Sequence, residues 1–322
     1  MKASSIFLSF LAALFLLCQA VPAAHADEGM WTFDNFPSKK VEAKYGFLPT
    51  QAWLNHVRDS SLRIAGGCSA SFISSHGLVM TNHHCVVDCE QNLSTPQQDL
   101  VKAGFAAGTE AEERKCPAFE LDQLVEIRDV TREVQGATAG KTGNAANKAL
   151  HAEEAKLQQS CGSDPGVRCD VISLYHGGIY DLYHYKRYND VRLVFAPEFD
   201  VAQFGGDPDN FNFPRYDFDI GLVRAYENDK PAATPEYLRW SPDGSKAGEL
   251  VFVPGNPGGT DRQLTIAQLE FMRDHFYPYV LPFIAEYRGQ MEEFITQGPQ
   301  QAREANEDLF FWANSFKAYY GE

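Results

Sequence analysis

The sequence predicts a mainly β fold with a helical insertion, followed by the start of an α-helical region. Three observations support this prediction. Short alternating, β-branched or aromatic runs recur between residues 66 and 254, with turn residues between them. Residues 133–160 are rich in Ala, Glu, Lys and Gln, as is typical of an exposed helix. After residue 260 the apolar residues recur at helical spacing, so the chain divides into residues 27–260 and 261–322.

The first 26 residues predict an export signal. Lys2 precedes an apolar run from Ile6 to Leu17, and Ala24-His25-Ala26 has the small-x-small form of a secretory cleavage site. The run is too short for a comfortable membrane crossing, so we expect no membrane span in the mature chain. We therefore expect an exported protein, which would be periplasmic, at the cell surface or secreted.

The composition limits the possible partners of the protein and indicates the oxidation state of its cysteines. A formal net charge of −15 argues against a nucleic acid partner, because a phosphate backbone requires a basic surface. Of the seven cysteines, Cys18 lies in the predicted leader. The six that remain are an even number, which in an exported chain favours disulfides over thiolate metal sites. Fifteen pairings are possible, and short spacings favour Cys68–Cys85, Cys89–Cys116 and Cys161–Cys169.

The β region opens with a lead-in segment and a hairpin. Residues 31–57 mix aromatic residues with an amphipathic patch and predict a short helix. Alternation over Cys68–Phe72 predicts a first strand, residues 74–77 carry turn chemistry, and Leu78–Thr81 predicts a second strand. The pattern also predicts strands at Leu121–Val130, Val171–Tyr175, Tyr180–Tyr188, Val191–Phe195, Phe218–Tyr226 and Leu250–Pro254.

The end of the hairpin is the first candidate for chemistry. The strand Leu78–Thr81 is followed by His83, His84 and Cys85. A histidine held at a strand end beside a cysteine that a disulfide can tie back has the fixed orientation that a general base needs. The alternatives are ordinary loop residues, or a metal site that also uses Cys89. Oxidation of the cysteines would consume the thiolates of such a site, so we expect no metal and no cofactor.

The second candidate is the run FGGDPDNFNFPRYDFDIGLVRAY at residues 204–226. Of its four aspartates, only Asp219 directly precedes an apolar strand. A buried carboxylate that accepts the Nδ1 proton of a histidine fixes its tautomer and stabilises the imidazolium formed during acyl transfer. We interpret Asp219 as the partner of His84, with a loop-capping aspartate as the alternative.

A nucleophile for this pair is not evident in the chain. Only Ser241, Ser245 and Ser315 follow Asp219, and none of them has flanking glycines of the kind found at a nucleophile elbow. The sequence therefore offers a base and its orienting carboxylate without a credible nucleophilic serine.

The motifs together resemble a known family. The segment TNHHC resembles the Thr-x-x-His-Cys run of chymotrypsin-like serine peptidases, in which the residue at His84 is the catalytic histidine. With the 204–215 loop, the Asp219 strand, GNPG at 255–258 and the helical region, it resembles the bacterial dipeptidyl-peptidase 7 and dipeptidyl-peptidase 11 family of serine exopeptidases.

The resemblance implies a chymotrypsin-like double β-barrel interrupted by a helical domain. The family's serine lies in a Gly-Asn-Ser-Gly-Ser motif on the second barrel, which would follow Glu322. This chain would then hold most of the first barrel and the start of the helical domain, with the second barrel absent. Family members read the free α-amino group of an oligopeptide through positions that here are Asn210 and Phe211. Many members have Trp at the latter position, so Phe211 keeps the apolar wall and lacks the indole N–H.

Two hypotheses of different classes follow. In the first, the chain is the amino-terminal part of an exported serine-type dipeptidyl-peptidase that releases dipeptides from oligopeptides with a free N-terminus, and it is inactive alone. In the second, it is a non-catalytic exported module that binds peptide ends or a partner protein. A homodimer is a family expectation only.

Overall fold

The computed structural model describes residues 29–65, 67–95, 97–162, 164–202, 205–258 and 264–321. The predicted leader, residues 1–26, lies outside the described residues. So does the predicted boundary between residues 260 and 261, which therefore stays a prediction.

The core of the described fold is one antiparallel sheet. Its strands are β1 Ser61–Ile64, β2 Ser69–Phe72, β3 Leu78–Thr81, β4 Phe105–Ala106, β5 Arg114–Lys115, β6 Leu121–Asp129, β7 Val167–Leu174, β8 Ile179–Tyr188, β9 Asp190–Ala196, β10 Gly221–Glu227 and β11 Lys230–Pro231. They follow the order β4-β9-β10-β3-β2-β1-β6-β8-β7, with β11 beside β10 and β5 beside β9. Seven of the eight predicted strands are confirmed, as β2, β3, β6, β7, β8, β9 and β10, with ends shifted by a few residues.

Helices flank the sheet in sequence and dominate the carboxyl-terminal region. They are α1 Ser38–Tyr45, α2 Gln51–Ser60, α3 Val87–Leu93, α4 Leu100–Ala103, α5 Thr131–Thr138, α6 Gly143–Gln159, α7 Phe199–Ala202, α8 Ile266–Phe271, α9 Tyr277–Ile295 and α10 Pro299–Gly321. A π-helical turn, Met272–Phe276, joins α8 to α9. The helical character predicted after residue 260 is thus confirmed for residues 266–321. Within the described residues no helix is both long and apolar enough to cross a bilayer.

The described residues form two compact units. The smaller unit comprises residues 29–49 and Ser241–Phe252, and Phe252 packs there against Phe36 and Phe47. The larger unit, Thr50–Trp240 with Val253 onward, contains the whole sheet and helices α8 to α10. All the candidate site residues belong to this larger unit.

Two clusters of buried side chains stabilise the larger unit. The main cluster lies on the central strands and includes Leu62, Phe72, Val79, Leu193 and Val223, all nearly inaccessible to solvent. A second cluster lies where α5 and α6 cover β7 and β8, and it includes Val130, Val134, Leu157, Cys169 and Leu182. Burial of large aliphatic and aromatic side chains of this kind is the main favourable contribution to folding.

All three favoured cysteine pairings are confirmed as disulfides: Cys68–Cys85, Cys89–Cys116 and Cys161–Cys169. The first links the start of the β2–β3 hairpin to the turn that follows it. The second ties α3 to the segment between β5 and β6. The third joins the end of α6 to β7.

Two secondary-structure predictions need correction. Leu250–Pro254 is not a strand, and Val251 and Val253 are largely exposed, because no neighbouring strand pairs with this run among the described residues. The predicted helix at 133–160 is two helices, α5 and α6. The chain turns between them at Gly140, whose φ of 72° lies in the left-handed region that glycine adopts readily.

Candidate active site

The pairing of β3 with β10 brings the two predicted catalytic segments together. The strands are antiparallel, with Thr81 opposite Gly221 and Val79 opposite Val223. The residues just after Thr81 must therefore lie beside those just before Gly221. This register places the turn His83–Cys85 next to Asp219, although His84 and Asp219 are 135 residues apart in sequence.

His84 and Asp219, called the dyad below, make two contacts with each other. His84 Nδ1 lies 2.7 Å from Asp219 Oδ2, and the backbone N–H of His84 donates to Asp219 Oδ1 at 3.0 Å. The Asn82 side-chain amide also donates to Oδ2 at 3.1 Å. When the Nδ1 proton faces the carboxylate, Nε2 is the ring atom that can accept a proton from another group.

The environment keeps Asp219 charged. Its burial alone would raise the pKa, but the hydrogen bonds from the His84 side chain and backbone outweigh that effect and hold the pKa below its ordinary value. The carboxylate side chain is only 11% exposed, whereas the His84 ring is 39% exposed. The dyad therefore has a shielded anion behind an imidazole that solvent can reach, an arrangement compatible with general-base chemistry.

A glycine permits the close approach of β10 to the histidine turn. A Cβ at Gly221 would lie 2.7 Å from Val86 Cγ2 and 3.0 Å from the Asn82 carbonyl oxygen. Any larger residue there would push β10 away from the turn that carries His84. The Asp-Ile-Gly sequence that leads into β10 therefore does two things. It places the aspartate beside His84, and its glycine lets β10 pack closely against the histidine turn.

The disulfides bear on the alternative metal site. Cys68, His84 and Cys85 cluster closely enough to be considered as ligands, but the two sulfurs are bonded to each other. Cys89 is likewise bonded to Cys116. The proposed set of His83, His84, Cys85 and Cys89 therefore lacks the thiolates on which it depended.

The loop between Gly205 and Asp219 carries the predicted amine-binding residues and is held by its own polar contacts. The Arg215 guanidinium lies 2.9 Å from an Asp207 oxygen and 3.0 Å from an Asp217 oxygen. Within the loop, the Asn212 backbone N–H donates to the Asp209 carbonyl at 2.8 Å. Such contacts fix the path of the chain from the glycine pair to the dyad.

Asn210 and Phe211 differ sharply in their surroundings. Asn210 is only 2% exposed, and its side-chain N–H donates to Asn314 Oδ1 on α10 at 2.8 Å. Phe211 is 60% exposed and has a φ of 63°, in the left-handed region that is costly for an aromatic residue. Strained residues of this kind cluster at binding sites, where the surrounding structure over-determines them. Asn210 and Asn314 are called the amide pair below.

Helix α10 packs along this loop. The Lys317 ammonium donates to the Pro208 carbonyl at 2.7 Å, and a Cβ at Gly205 would lie 2.7 Å from the Phe310 carbonyl oxygen. Phe310 also packs on Phe199 of α7, with 5.2 Å between ring centroids. The contacting residues recur at helical spacing along one face of α10, so this face of the helix packs against the loop that carries Asn210.

Glu307 lies on α10 two turns before Asn314 and close to the dyad. Burial raises its pKa to about 7, the charges of Asp88 and Asp308 add to the effect, and His83 and His84 oppose it. Its carboxylate therefore changes charge near neutral pH within electrostatic reach of both histidines.

The sequence predictions for the site did not include several of these residues. Asn82 could have been noted because it directly precedes the histidine pair. Asn314 and Glu307 lie in a helix more than 80 residues beyond the candidate loop, where no local pattern distinguishes them from other polar helical residues. Only the packing of α10 on the loop reveals them.

The sequence is similar to those of known peptidases. A family described as Peptidase S46 matches residues 26–322. An Asp/Glu-specific dipeptidyl-peptidase of Shewanella putrefaciens is 34% identical over 295 residues, which are 87% of this chain and 40% of the relative. Dipeptidyl-peptidase 7 of Porphyromonas gingivalis is 32% identical over 277 residues, covering 80% of this chain and 39% of the relative.

Solved structures share the fold. The crystal structure of Porphyromonas endodontalis DPP11 in complex with the dipeptide Arg-Glu aligns with a TM-score of 0.78 at 24% sequence identity, over 92% of this chain and 46% of that chain. The complex of the same protein with Arg-Asp gives a TM-score of 0.75 over the same shares. The chain thus spans less than half the length of these relatives.

Proposed function

The chain belongs to the peptidase S46 family, and from that premise we propose that it carries the general base and orienting carboxylate of an exported serine-type dipeptidyl-peptidase. His84 acts as the base and Asp219 holds it. Asn210 and Phe211 receive the free amino terminus of an oligopeptide. The chymotrypsin-like barrel is the portion at 27–260, and residues 261–322 begin the helical domain.

One observation carries this proposal: the paired contacts between His84 and Asp219. A carboxylate that meets both the Nδ1 atom and the backbone N–H of one histidine fixes the ring orientation and its tautomer. Nε2 then takes the proton from an attacking serine hydroxyl as the oxygen bonds to the scissile carbonyl carbon. The same proton passes to the departing amine when the peptide bond breaks.

The serine is proposed to lie outside the 322 residues of this chain, in a part corresponding to the unmatched length of the relatives. The chain alone is then expected to hydrolyse no fluorogenic dipeptide substrate. The reading frame beyond Glu322 gives a simple check. An in-frame Gly-Asn-Ser-Gly-Ser motif supports the proposal, and a stop codon there favours a binding module.

A chimera tests the roles of the residues directly. Residues 27–322 would replace the matched portion of the Shewanella putrefaciens dipeptidyl-peptidase, with the rest of that protein unchanged. Turnover of dipeptide substrates that is abolished by His84→Ala and strongly reduced by Asp219→Asn supports the proposal. Turnover by the chain alone that depends on His84, or by a chimera that tolerates His84→Ala, contradicts it. His76→Ala, at an exposed turn, serves as the control.

A peptide-binding module is the second candidate, and the amide pair favours it because both members lie within this chain. A side-chain amide oxygen on a rigid loop can accept a hydrogen bond from an ammonium group. Binding of a free dipeptide to the chain, measured by calorimetry beside its N-acetylated counterpart, tests this function separately from hydrolysis. Binding of the free form alone, lost in Asn210→Ala, supports amino-terminal recognition.

A further inference from the structure

A buried pair of ionisable side chains lies directly behind the dyad. His83 is 1% exposed and Glu90 is fully buried. His83 Nε2 lies 2.9 Å from Glu90 Oε2. This is a close contact between ionisable groups without hydrogen-bond geometry, and neither these two atoms nor Glu90 Oε1 has a hydrogen-bond partner among the described residues. His83 belongs to the same short turn as His84, and Glu90 lies in the middle of α3.

The surroundings of this pair are rigid. The His83 ring meets the edge of Phe199, with 6.4 Å between centroids, and Phe199 in turn packs on Phe310 of α10. The residue next to Glu90 is Cys89, whose disulfide to Cys116 anchors α3. The backbone of Glu90 is therefore held in place by a cross-linked helix.

The charges around His83 favour a paired arrangement. Burial raises the pKa of Glu90, and the contact with His83 opposes that effect. The charge of Asp99 adds to the increase in the pKa of Glu90. A buried imidazole without a partner would be costly, and Glu90 is the carboxylate in contact with it.

The two adjacent histidines lie in different surroundings. His83 enters the core, whereas the His84 ring is exposed and meets Asp219. In so short a turn, a rotation that moved the His83 ring would also move the backbone N–H of His84, which donates to Asp219 Oδ1. An apolar residue at position 83 would fill the same space, but its packing has no direction and would not fix that rotation.

We propose that the His83–Glu90 contact is a positioning pair that fixes the turn 83–85, so that the backbone N–H and the Nδ1 atom of His84 reach Asp219 together. The inference deepens the proposed function and rests on it for its catalytic meaning. Neither His83 nor Glu90 touches the substrate. Their effect passes through the orientation of His84.

Hydrogen exchange of the His84 amide in the 322-residue chain tests the proposal, because that amide reports the contact with Asp219 directly. The double variant His83→Phe/Glu90→Leu replaces the pair with apolar side chains. We expect the variant to stay folded and its His84 amide to exchange about tenfold faster, while the Val223 amide of β10 keeps its protection. The low-field Nδ1–H resonance of His84, identified by its loss in His84→Gln, should also disappear.

Two further variants sharpen the result. Glu90→Gln keeps a polar side chain of the same size beside His83 and is expected to retain His84 protection within about threefold. Glu236→Met removes the partner of His56 in an exposed histidine–glutamate contact and should leave the His84 amide unchanged. If the double variant does not fold, Glu90→Met, which removes only the carboxylate, must show the same loss of protection.

Wild-type protection of the His84 amide in the double variant would overturn the proposal, because the pair would then only fill space. Loss of protection in Glu90→Gln as large as in the double variant would also overturn it, because the polar contact would not be sufficient. These measurements need no hydrolysis. If they succeed while the chimera is inactive, the positioning pair stands and the peptidase proposal fails.

Discussion

The dyad and the amide pair are assembled in different ways. The dyad joins two strand ends whose positions follow from the ladder between β3 and β10, in which four residues of each strand are paired. The amide pair joins a loop to a helix, and its position follows from side-chain and backbone contacts such as Lys317 with Pro208. The register of the sheet therefore controls the geometry of the dyad, whereas the packing of α10 controls that of the amide pair. Mutations at one of these sites should leave the other undisturbed.

The largest expected effect comes from the disulfide at the dyad. Replacing Cys68 and Cys85 with Ala removes a cross-link across 17 residues and is expected to lower the free energy of unfolding by about 3 kcal/mol, as measured by urea denaturation. The His84 amide should exchange faster, while the proposed binding of peptides at Asn210 should be unaffected.

The control for this change is Cys161→Ala with Cys169→Ala, across 8 residues in the helical insertion. It should cost about 2.5 kcal/mol and leave the His84 amide unchanged. Equal effects of the two double variants on that amide would break the distinction between the dyad and the rest of the fold.

Gly221→Ala tests the dependence of the dyad on sheet packing. The new methyl group would collide with Val86 and with the Asn82 carbonyl, so we expect a loss of about 2 kcal/mol in the free energy of unfolding. Gly289→Ala is the matched control, because nothing lies near its added Cβ within α9, and it should stabilise the chain by about 0.5 kcal/mol. A Gly221→Ala chain as stable as wild type would refute the packing argument.

Asn314→Ala tests the other half of the comparison. It leaves the buried Asn210 amide without its acceptor, and we expect a loss of about 1–2 kcal/mol in the free energy of unfolding. Binding of free dipeptides, measured by calorimetry, should weaken, while His84 amide exchange stays as in wild type. Gln300→Ala, at an exposed contact on the same helix, should change stability by less than about 0.5 kcal/mol.

The smallest expected effect is pH-dependent and concerns the helix that lies near both sites. The pKa of Glu307 is raised by burial to about 7, so the folded chain binds more protons at this position than the unfolded chain between its ordinary pKa and about pH 7. Stability must therefore fall as pH rises through that window. After allowance for partial exposure, Glu307→Gln should raise the free energy of unfolding at pH 8 by about 1 kcal/mol.

At pH 4 the same variant should match wild type, because the carboxyl group is then protonated in the folded chain and largely so in the unfolded one. Exposed Glu304 provides the control on the same helix, and Glu304→Gln should show no such pH dependence. A constant difference between Glu307→Gln and wild type from pH 4 to pH 8 would contradict the assigned burial.

The sequence was informative where a local pattern marks the residues of the candidate site. The alternating hairpin, the histidine pair beside Cys85 and the aspartate that opens an apolar strand are local patterns, and the structure brings His84 and Asp219 into contact. The cysteine spacings similarly led to the three observed disulfides.

Local patterns failed where long-range packing decides the outcome. Val251 and Val253 have high β propensity, yet a strand needs a pairing partner, and none meets this run among the described residues. Asn314 becomes notable only because α10 lies against the loop 104 residues earlier. Glu90 has no local sequence feature that sets it apart from the other acidic residues, and only its complete burial beside His83 distinguishes it.

The order of the strands has a practical consequence for engineering. Helices α5 and α6 connect β6 to β7, and β7 ends the strand path on the side opposite β10. A fluorescent reporter grafted into the short bend near Gly140 would therefore be separated from the β3–β10 ladder by several hydrogen-bonded strands. Such a fusion offers a way to follow the folding of this chain in living cells without altering the two strand ends that hold His84 and Asp219.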